Sequence, residues 1–286
     1  MSITSIGSIS VLERLRLLLV KLRLARALEV LDVLVRRVET GELSALELLE
    51  QLLAEEQSAR EGRRLRSASM TARLTRMKTL DGFDFSFQPS LERNRILALA
   101  QLGFLERAEV VHLLGPPGTG KSHLAIALGF EAIKAGKSVF FATLAEIITS
   151  LLKAQREGEL AARLRFLARP ALLIVDEVGY LPLEPGGANL FFQLVNTRYE
   201  KGAMILTSNR GFRDWGEVFG DNVIAAALLD RLLHHAVVIE IEGSSYRLRE
   251  HAHLMPEGLH PASEPVPVKR RRGRPRKTEV PLSTHG

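Results

Sequence analysis

The sequence predicts an α/β fold in which a parallel sheet lies between helices, with a helical N-terminal region before it and a basic tail after it. Three observations carry this. Short β-rich apolar runs alternate with helix-patterned segments between about residues 110 and 241. A glycine-rich string, Gly115-Pro116-Pro117-Gly118-Thr119-Gly120-Lys121-Ser122, falls between one such run and the helix that follows. Amphipathic helical spacing fills the first 60 residues.

Composition narrows the class. At 286 residues the chain has room for one or two domains, and 46% hydrophobic, 25% charged and 6% aromatic residues exclude a mainly disordered or collagen-like polymer. No apolar stretch approaches the roughly 18 residues of a membrane span. The first 20 residues lack the basic start of a secretory signal, so no membrane partner is expected. The absence of cysteine excludes a disulfide framework and thiolate-bound zinc, which fits a cytoplasmic protein. The net charge of +6 is local: seven basic residues and one acid lie in 60–78, seven basic and three acidic residues in 256–286, and the rest is net negative. Such clustering suits contact with phosphates along particular segments.

Taken in order, leucines and valines at three-to-four-residue spacing from Val11 to Glu39 predict one amphipathic helix ended by Thr40-Gly41. Ser44 with Glu47 forms a capping box that opens a second helix to about Gln57. This hairpin serves either partner docking or its own packing. The basic run after it, which could extend the second helix, is either a DNA contact or a solvated face. Region 79–255 holds the alternating pattern. A short helix at about 92–103 precedes a strand Val110–Leu114, and a helix Lys121–Lys134 leads to a strand Ser138–Thr143. After helices to about Ala168 come a strand Ala171–Val175, a helix Ala188–Tyr199, a strand Met204–Thr207, a helix Val223–His235 and a strand Val237–Ile241. Region 256–286 is rich in Pro and basic residues and too poor in large apolar side chains to offset its ordering entropy, so it is expected to be disordered when free.

The glycine-rich string matches G-x-x-x-x-G-K-[ST], the phosphate loop. Its glycines let successive N–H groups point inward, and the following helix adds its positive end. Lys121 is placed to reach the β and γ phosphates and Ser122 to ligate Mg²⁺. Asp176, at the carboxyl end of an aliphatic run, is the expected metal-shell acid, and adjacent Glu177 the expected base for the attacking water. Asn209, after Ala203-Met204-Ile205-Leu206-Thr207-Ser208, could hydrogen-bond both the water and the γ-phosphate.

These motifs in this order resemble the AAA+ P-loop ATPases. Thr79-Leu80-Asp81-Gly82-Phe83-Asp84-Phe85, Asp176-Glu177-Val178-Gly179-Tyr180-Leu181-Pro182, Thr207-Ser208-Asn209-Arg210 and Asp230-Arg231-Leu232-Leu233-His234-His235 narrow the resemblance to the IstB family of transposition helper ATPases, related to the DnaC helicase loaders. The resemblance covers about residues 23–250. It implies ATP and Mg²⁺ as cofactors and ATP-dependent self-assembly, as a ring or helical filament, on double-stranded DNA. It also implies an IstA-type transposase as partner, and hydrolysis that remodels the complex. By position, Arg231 resembles the arginine that a neighbouring protomer inserts at the γ-phosphate, and Arg247 is a second candidate for sensing nucleotide. A helicase loader of the DnaC type and a nucleotide-switched DNA-binding accessory protein are the alternative readings.

The tail contains Arg271-Arg272-Gly273-Arg274-Pro275-Arg276, which resembles an AT-hook. A narrow A/T-rich minor groove attracts inserted Arg, and Gly allows close backbone approach. A generic basic tail with non-specific phosphate affinity is the other reading of these residues.

Overall fold

A computed structural model describes residues 10–74, 76, 78–180 and 183–248. The AT-hook-like string Arg271–Arg276 lies outside the described residues, as do Leu181 and Pro182.

The N-terminal spacing forms two helices rather than one, α1 (Val11–Lys21) and α2 (Ala25–Glu39). The break is made by Arg23, whose φ of +56° is left-handed, while Leu24 N–H still reaches the Leu19 carbonyl. Ser10 and Glu13 cap α1 reciprocally. No side chain of its own caps α2. Glu56 of α3 (Ala45–Thr71) supplies the acceptor instead, taking the N–H groups of Arg26 and Ala27 at 2.8 and 3.2 Å while pairing with Arg60 and Arg63. The basic run therefore continues the second predicted helix through Thr71. Leu19, Leu31, Leu34 and Leu52 give these three helices a small core of their own.

The remaining elements build a five-stranded parallel sheet. Its strands are β1 (Val110–Leu114), β2 (Val139–Thr143), β3 (Leu172–Val178), β4 (Ala203–Ser208) and β5 (Ala236–Glu240), in the order β2-β3-β4-β1-β5. The helices are α4 (Arg93–Ala100), α5 (Gly103–Glu106), α6 (Lys121–Lys134), α7 (Leu144–Arg156), α8 (Leu160–Ala168), α9 (Gly187–Arg198), α10 (Trp215–Phe219) and α11 (Asn222–Leu233). Alternate residues face opposite layers, as the twofold strand repeat requires. Leu172 and Ile174 join Leu124, Leu128 and Ile96 on one face. Leu173 and Val175 join Ile147, Phe191 and Leu228 on the other. This is the α/β architecture, a parallel sheet between helices, that the alternating pattern predicts. Among the described residues no helix is long and apolar enough to cross a membrane.

The helical layer is fastened to the sheet domain by polar contacts. Phe141 N–H donates to the Ala72 carbonyl, Arg73 pairs with Glu146 at 2.7 Å, and Arg64 Nη2 donates to the carbonyl of Lys134, the last residue of α6.

Candidate functional site

The loop from Gly115 to Gly120 leaves the carboxyl end of β1 and delivers the chain to α6. Its glycines are required by crowding as much as by φ. A side chain at Gly115 (φ +145°) would collide with the Ile241 carbonyl, and one at Gly120 (φ +99°) would stand 2.5 Å from the Phe83 ring. Thr119 Oγ1 braces the loop by donating to the Pro116 carbonyl at 2.9 Å.

Lys121 is buried at the first turn of α6, its ammonium donating to the carbonyls of Gly115 and Pro116 at 2.6 Å each. Burial pushes its pKa down to about 8, with Asp176 acting upward and nearby Arg247 downward. Next to it, Ser122 Oγ donates to Asp176 Oδ1 at 2.8 Å. Asp176 stands opposite Thr143 in the β2–β3 register and is itself buried. A hydroxyl and a carboxylate oxygen brought together beside a buried ammonium form a donor set that fits a hard divalent cation and the phosphates accompanying it.

The strand predicted to stop at Val175 runs on to Val178, and the two acids lie inside it. Val175 pairs with Leu206 and Val178 with Ser208, so β3 carries one residue more than β4 between those pairs. This bulge falls on Asp176-Glu177. Glu177 takes φ +62°, and its side chain turns outward between two buried neighbours. A bulge re-aims a side chain in this way, so the adjacent acids leave the sheet in different directions. Glu177 N–H donates to Thr207 Oγ1 at 3.0 Å, and the Thr207 hydroxyl donates to Asp176 Oδ1.

Asn209 follows β4 directly, beside the point where Gly115 N–H bonds the Ser208 carbonyl. Its Oδ1 is buried and has no hydrogen-bond partner among the described residues. Such an orphaned acceptor at the phosphate-loop end of the sheet fits a site completed by a bound group.

A cleft of about 410 Å³ opens beside the loop, walled by Phe83, Gln88, His123, Tyr246 and Arg247 along with Lys121 and Ser122. The chain after β5 forms one wall. Tyr246 N–H donates to the Gly118 carbonyl at 3.0 Å, and Gln88 Nε2 donates to the Ser244 carbonyl at 3.1 Å. Arg247 thus reaches the cleft from the short connection that follows β5.

Arg231 is not in this cluster. It lies on α11 against the starts of β1 and β4, its guanidinium 4.6 Å from the Tyr199 ring centroid. At about 3.3 Å per strand residue, the length of β1 puts roughly 16 Å of sheet between that end and the phosphate loop. His234, His235 and Glu200 gather at the same remote end and are exposed.

Sequence reasoning named Lys121, Ser122 and Arg247 but missed the other cleft walls, Phe83, Gln88, His123 and Tyr246, and the Thr207 bridge. It also missed Arg198, an arginine only 1% exposed that donates to the carbonyls of Leu167, Ala168, Pro170 and Ala203. The spacing of Asp176, Glu177 and Thr207 gave no signal of their contact.

A glycine-rich loop at the carboxyl end of a parallel strand, with a buried lysine and a hydroxyl–carboxylate pair, defines a P-loop nucleotide-binding protein. Residues 17–253 match the profile of the IstB-like ATP binding proteins, and the chain belongs to that family. It is 45% identical over 260 residues, 90% of this chain and 98% of the relative, to an insertion sequence IS21 protein of Pseudomonas aeruginosa named for ATP binding. An IS5376 counterpart from Geobacillus stearothermophilus is 44% identical over 74% of this chain and 84% of its own. Among solved structures, AMPPCP-bound DnaA from Aquifex aeolicus aligns with 58% of this chain and 50% of its own, at TM-score 0.48 and 24% identity.

Proposed function

We propose that this protein is an ATP-hydrolysing, DNA-binding regulator of transposition that assembles with copies of itself on target DNA and stimulates an IstA-type transposase. The observation that carries the hydrolytic part is the bulge at Asp176-Glu177, which keeps one acid against Ser122 and turns its neighbour out of the sheet. Nucleotide binding alone would not require the second acid to be re-aimed.

In this reading the loop residues Gly115, Pro116, Pro117, Gly118, Thr119 and Gly120 cradle the phosphates with backbone N–H groups, and Lys121 neutralises their charge. Ser122 and Asp176 would hold Mg²⁺, which would supply charge neutralisation to the phosphates. Glu177 takes the proton of the attacking water. Asn209 orients that water, its buried Oδ1 accepting one of the water's protons. Arg231 serves the neighbouring protomer, a role supported by its place at the far end of the sheet.

The division into an N-terminal helical region (1–78) that meets DNA or the transposase, an ATPase region (79–255) and a DNA-binding tail (256–286) belongs to the same proposal, with the protein in the cytoplasm. Leu46, Leu49 and Leu53, half or more exposed along α3, give the first region an apolar surface suited to a partner. The deciding experiment is steady-state phosphate release by the full chain with and without duplex DNA, beside Lys121→Ala. Turnover abolished in Lys121→Ala supports the reading. A wild type that binds nucleotide and DNA but releases no phosphate would leave only a nucleotide-switched binding protein.

A further inference from the structure

We infer that Thr207 is a positioning residue whose single hydroxyl fixes both acids of the site at once. The inference rests on the roles proposed above for Asp176 and Glu177 and adds the element that holds them.

Thr207 is 2% exposed, on β4 opposite the bulge. Its hydroxyl has one proton to give and lone pairs to offer, and the surroundings dictate their use. Glu177 N–H can only donate, so it takes a lone pair, at 3.0 Å. Ionised Asp176 can only accept, so it takes the proton at Oδ1. The Ser122 hydroxyl donates to that same oxygen at 2.8 Å. Among the described residues none donates to Oδ2, so both hydroxyls act on one oxygen of Asp176. Neighbouring Ser208 works on the far side of the bulge, donating to the Val178 carbonyl at 2.8 Å and accepting Arg210 N–H at 3.0 Å.

The left-handed backbone of Glu177 resists a non-glycine residue and needs surrounding contacts to persist. The Glu177 carbonyl accepts the longer Tyr180 N–H bond of the following turn, at 3.3 Å, while the Glu177 N–H is held by its hydrogen bond to Thr207. Without it the peptide is free to relax toward regular pairing with β4, which would swing the Glu177 carboxylate away from its outward direction. Thr207 makes no hydrogen bond to the phosphate loop or Lys121, so its loss acts on turnover rather than on nucleotide affinity.

The test compares full-length wild type, Thr207→Val and Thr207→Ser in phosphate release, affinity for a non-hydrolysable ATP analogue, and amide hydrogen exchange at Glu177. In Thr207→Val, exchange at Glu177 should rise and turnover fall at least about tenfold, with affinity held within about threefold. Thr207→Ser, which keeps the hydroxyl, should return exchange and turnover to within about threefold of wild type. Unchanged exchange in Thr207→Val would overturn the inference, as would parallel loss of affinity and turnover that serine fails to rescue. If Thr207→Val does not fold, Thr207→Ala set against Thr207→Ser carries the same comparison. A wild type without turnover would sink the hydrolytic reading alone, because exchange at Glu177 still reports whether Thr207 holds the bulge.

Discussion

The Arg231 guanidinium rests 4.6 Å from the centre of the Tyr199 ring, on the side of the sheet where the strands begin. The phosphate loop lies where they end. An arginine so placed serves a triphosphate only if that triphosphate belongs to a neighbour. Arg231→Ala should therefore lose about 10³-fold or more in turnover while binding nucleotide as wild type does, since a trans-acting arginine acts on the transition state. Mixing Arg231→Ala with Glu177→Gln should restore part of the activity, measured as phosphate release across mixing ratios. Absence of rescue at every ratio would count against a shared site.

Lys121 gives the site a pH dependence of known sign. Its pKa of about 8 lies below that of a free lysine, so in the empty protein a growing fraction is neutral above pH 8. Phosphates favour the charged form. Nucleotide binding near pH 8 should therefore take up protons, and affinity should fall as pH rises further. Calorimetry in buffers of different ionisation enthalpy reads the uptake directly. The contribution to folding runs the other way: between about pH 8 and the unfolded value, 10.5, the unfolded chain holds the extra proton, so stability from this group grows with pH.

Glu177→Gln keeps the side chain's shape and removes its basicity. It should bind nucleotide with wild-type affinity and slow hydrolysis by about 10²–10⁴-fold, the range of a positioned general base. Single-turnover phosphate release checks this, and unchanged turnover would remove Glu177 from the mechanism.

His112 provides an acid-sensitive element away from the site. It is fully buried on β1, its Nε2 at 3.1 Å from the Leu232 carbonyl, and burial pushes its pKa down to about 4. Between 6.5 and 4 the unfolded chain binds the proton and the native one does not, so stability is lost as pH falls through that window, by ~3 kcal/mol. His112→Gln should melt with a visibly shallower pH dependence between pH 4 and 6.5. An identical slope would remove His112 as the cause.

Removing residues 256–286 should weaken binding to A/T-rich duplex more than to G/C-rich duplex and make it less salt-dependent. Fluorescence anisotropy on the two duplexes at several salt concentrations decides the matter. Equal losses would support a generic basic tail.

Much of the site could be read directly because its chemistry is local in the chain. The phosphate loop, Lys121 and Ser122 are consecutive, and a run such as Leu172–Val175 has few places to go other than the middle of a sheet. What escaped depends on distant partners or on one backbone angle. The apolar spacing of α1 and α2 continues across Arg23, so only its positive φ reveals the break. Asp176 and Glu177 read as a pair beyond a strand, because the return of Val178 to pairing with Ser208 depends on β4. Arg247 is legible as a candidate by resemblance, but the hydrogen bond from Tyr246 N–H to the Gly118 carbonyl that ties its segment to the phosphate loop joins residues far apart in the chain.

The clasp of Arg64 on the Lys134 carbonyl gives α6 a mechanical character. At 1.5 Å per residue this helix is a strut of about 21 Å, with the phosphate loop at its head and the basic stretch of α3 gripping its foot. A displacement of this helix would therefore be carried to Arg64 through that hydrogen bond, which ties the basic stretch of α3 to the element that begins at the phosphate loop.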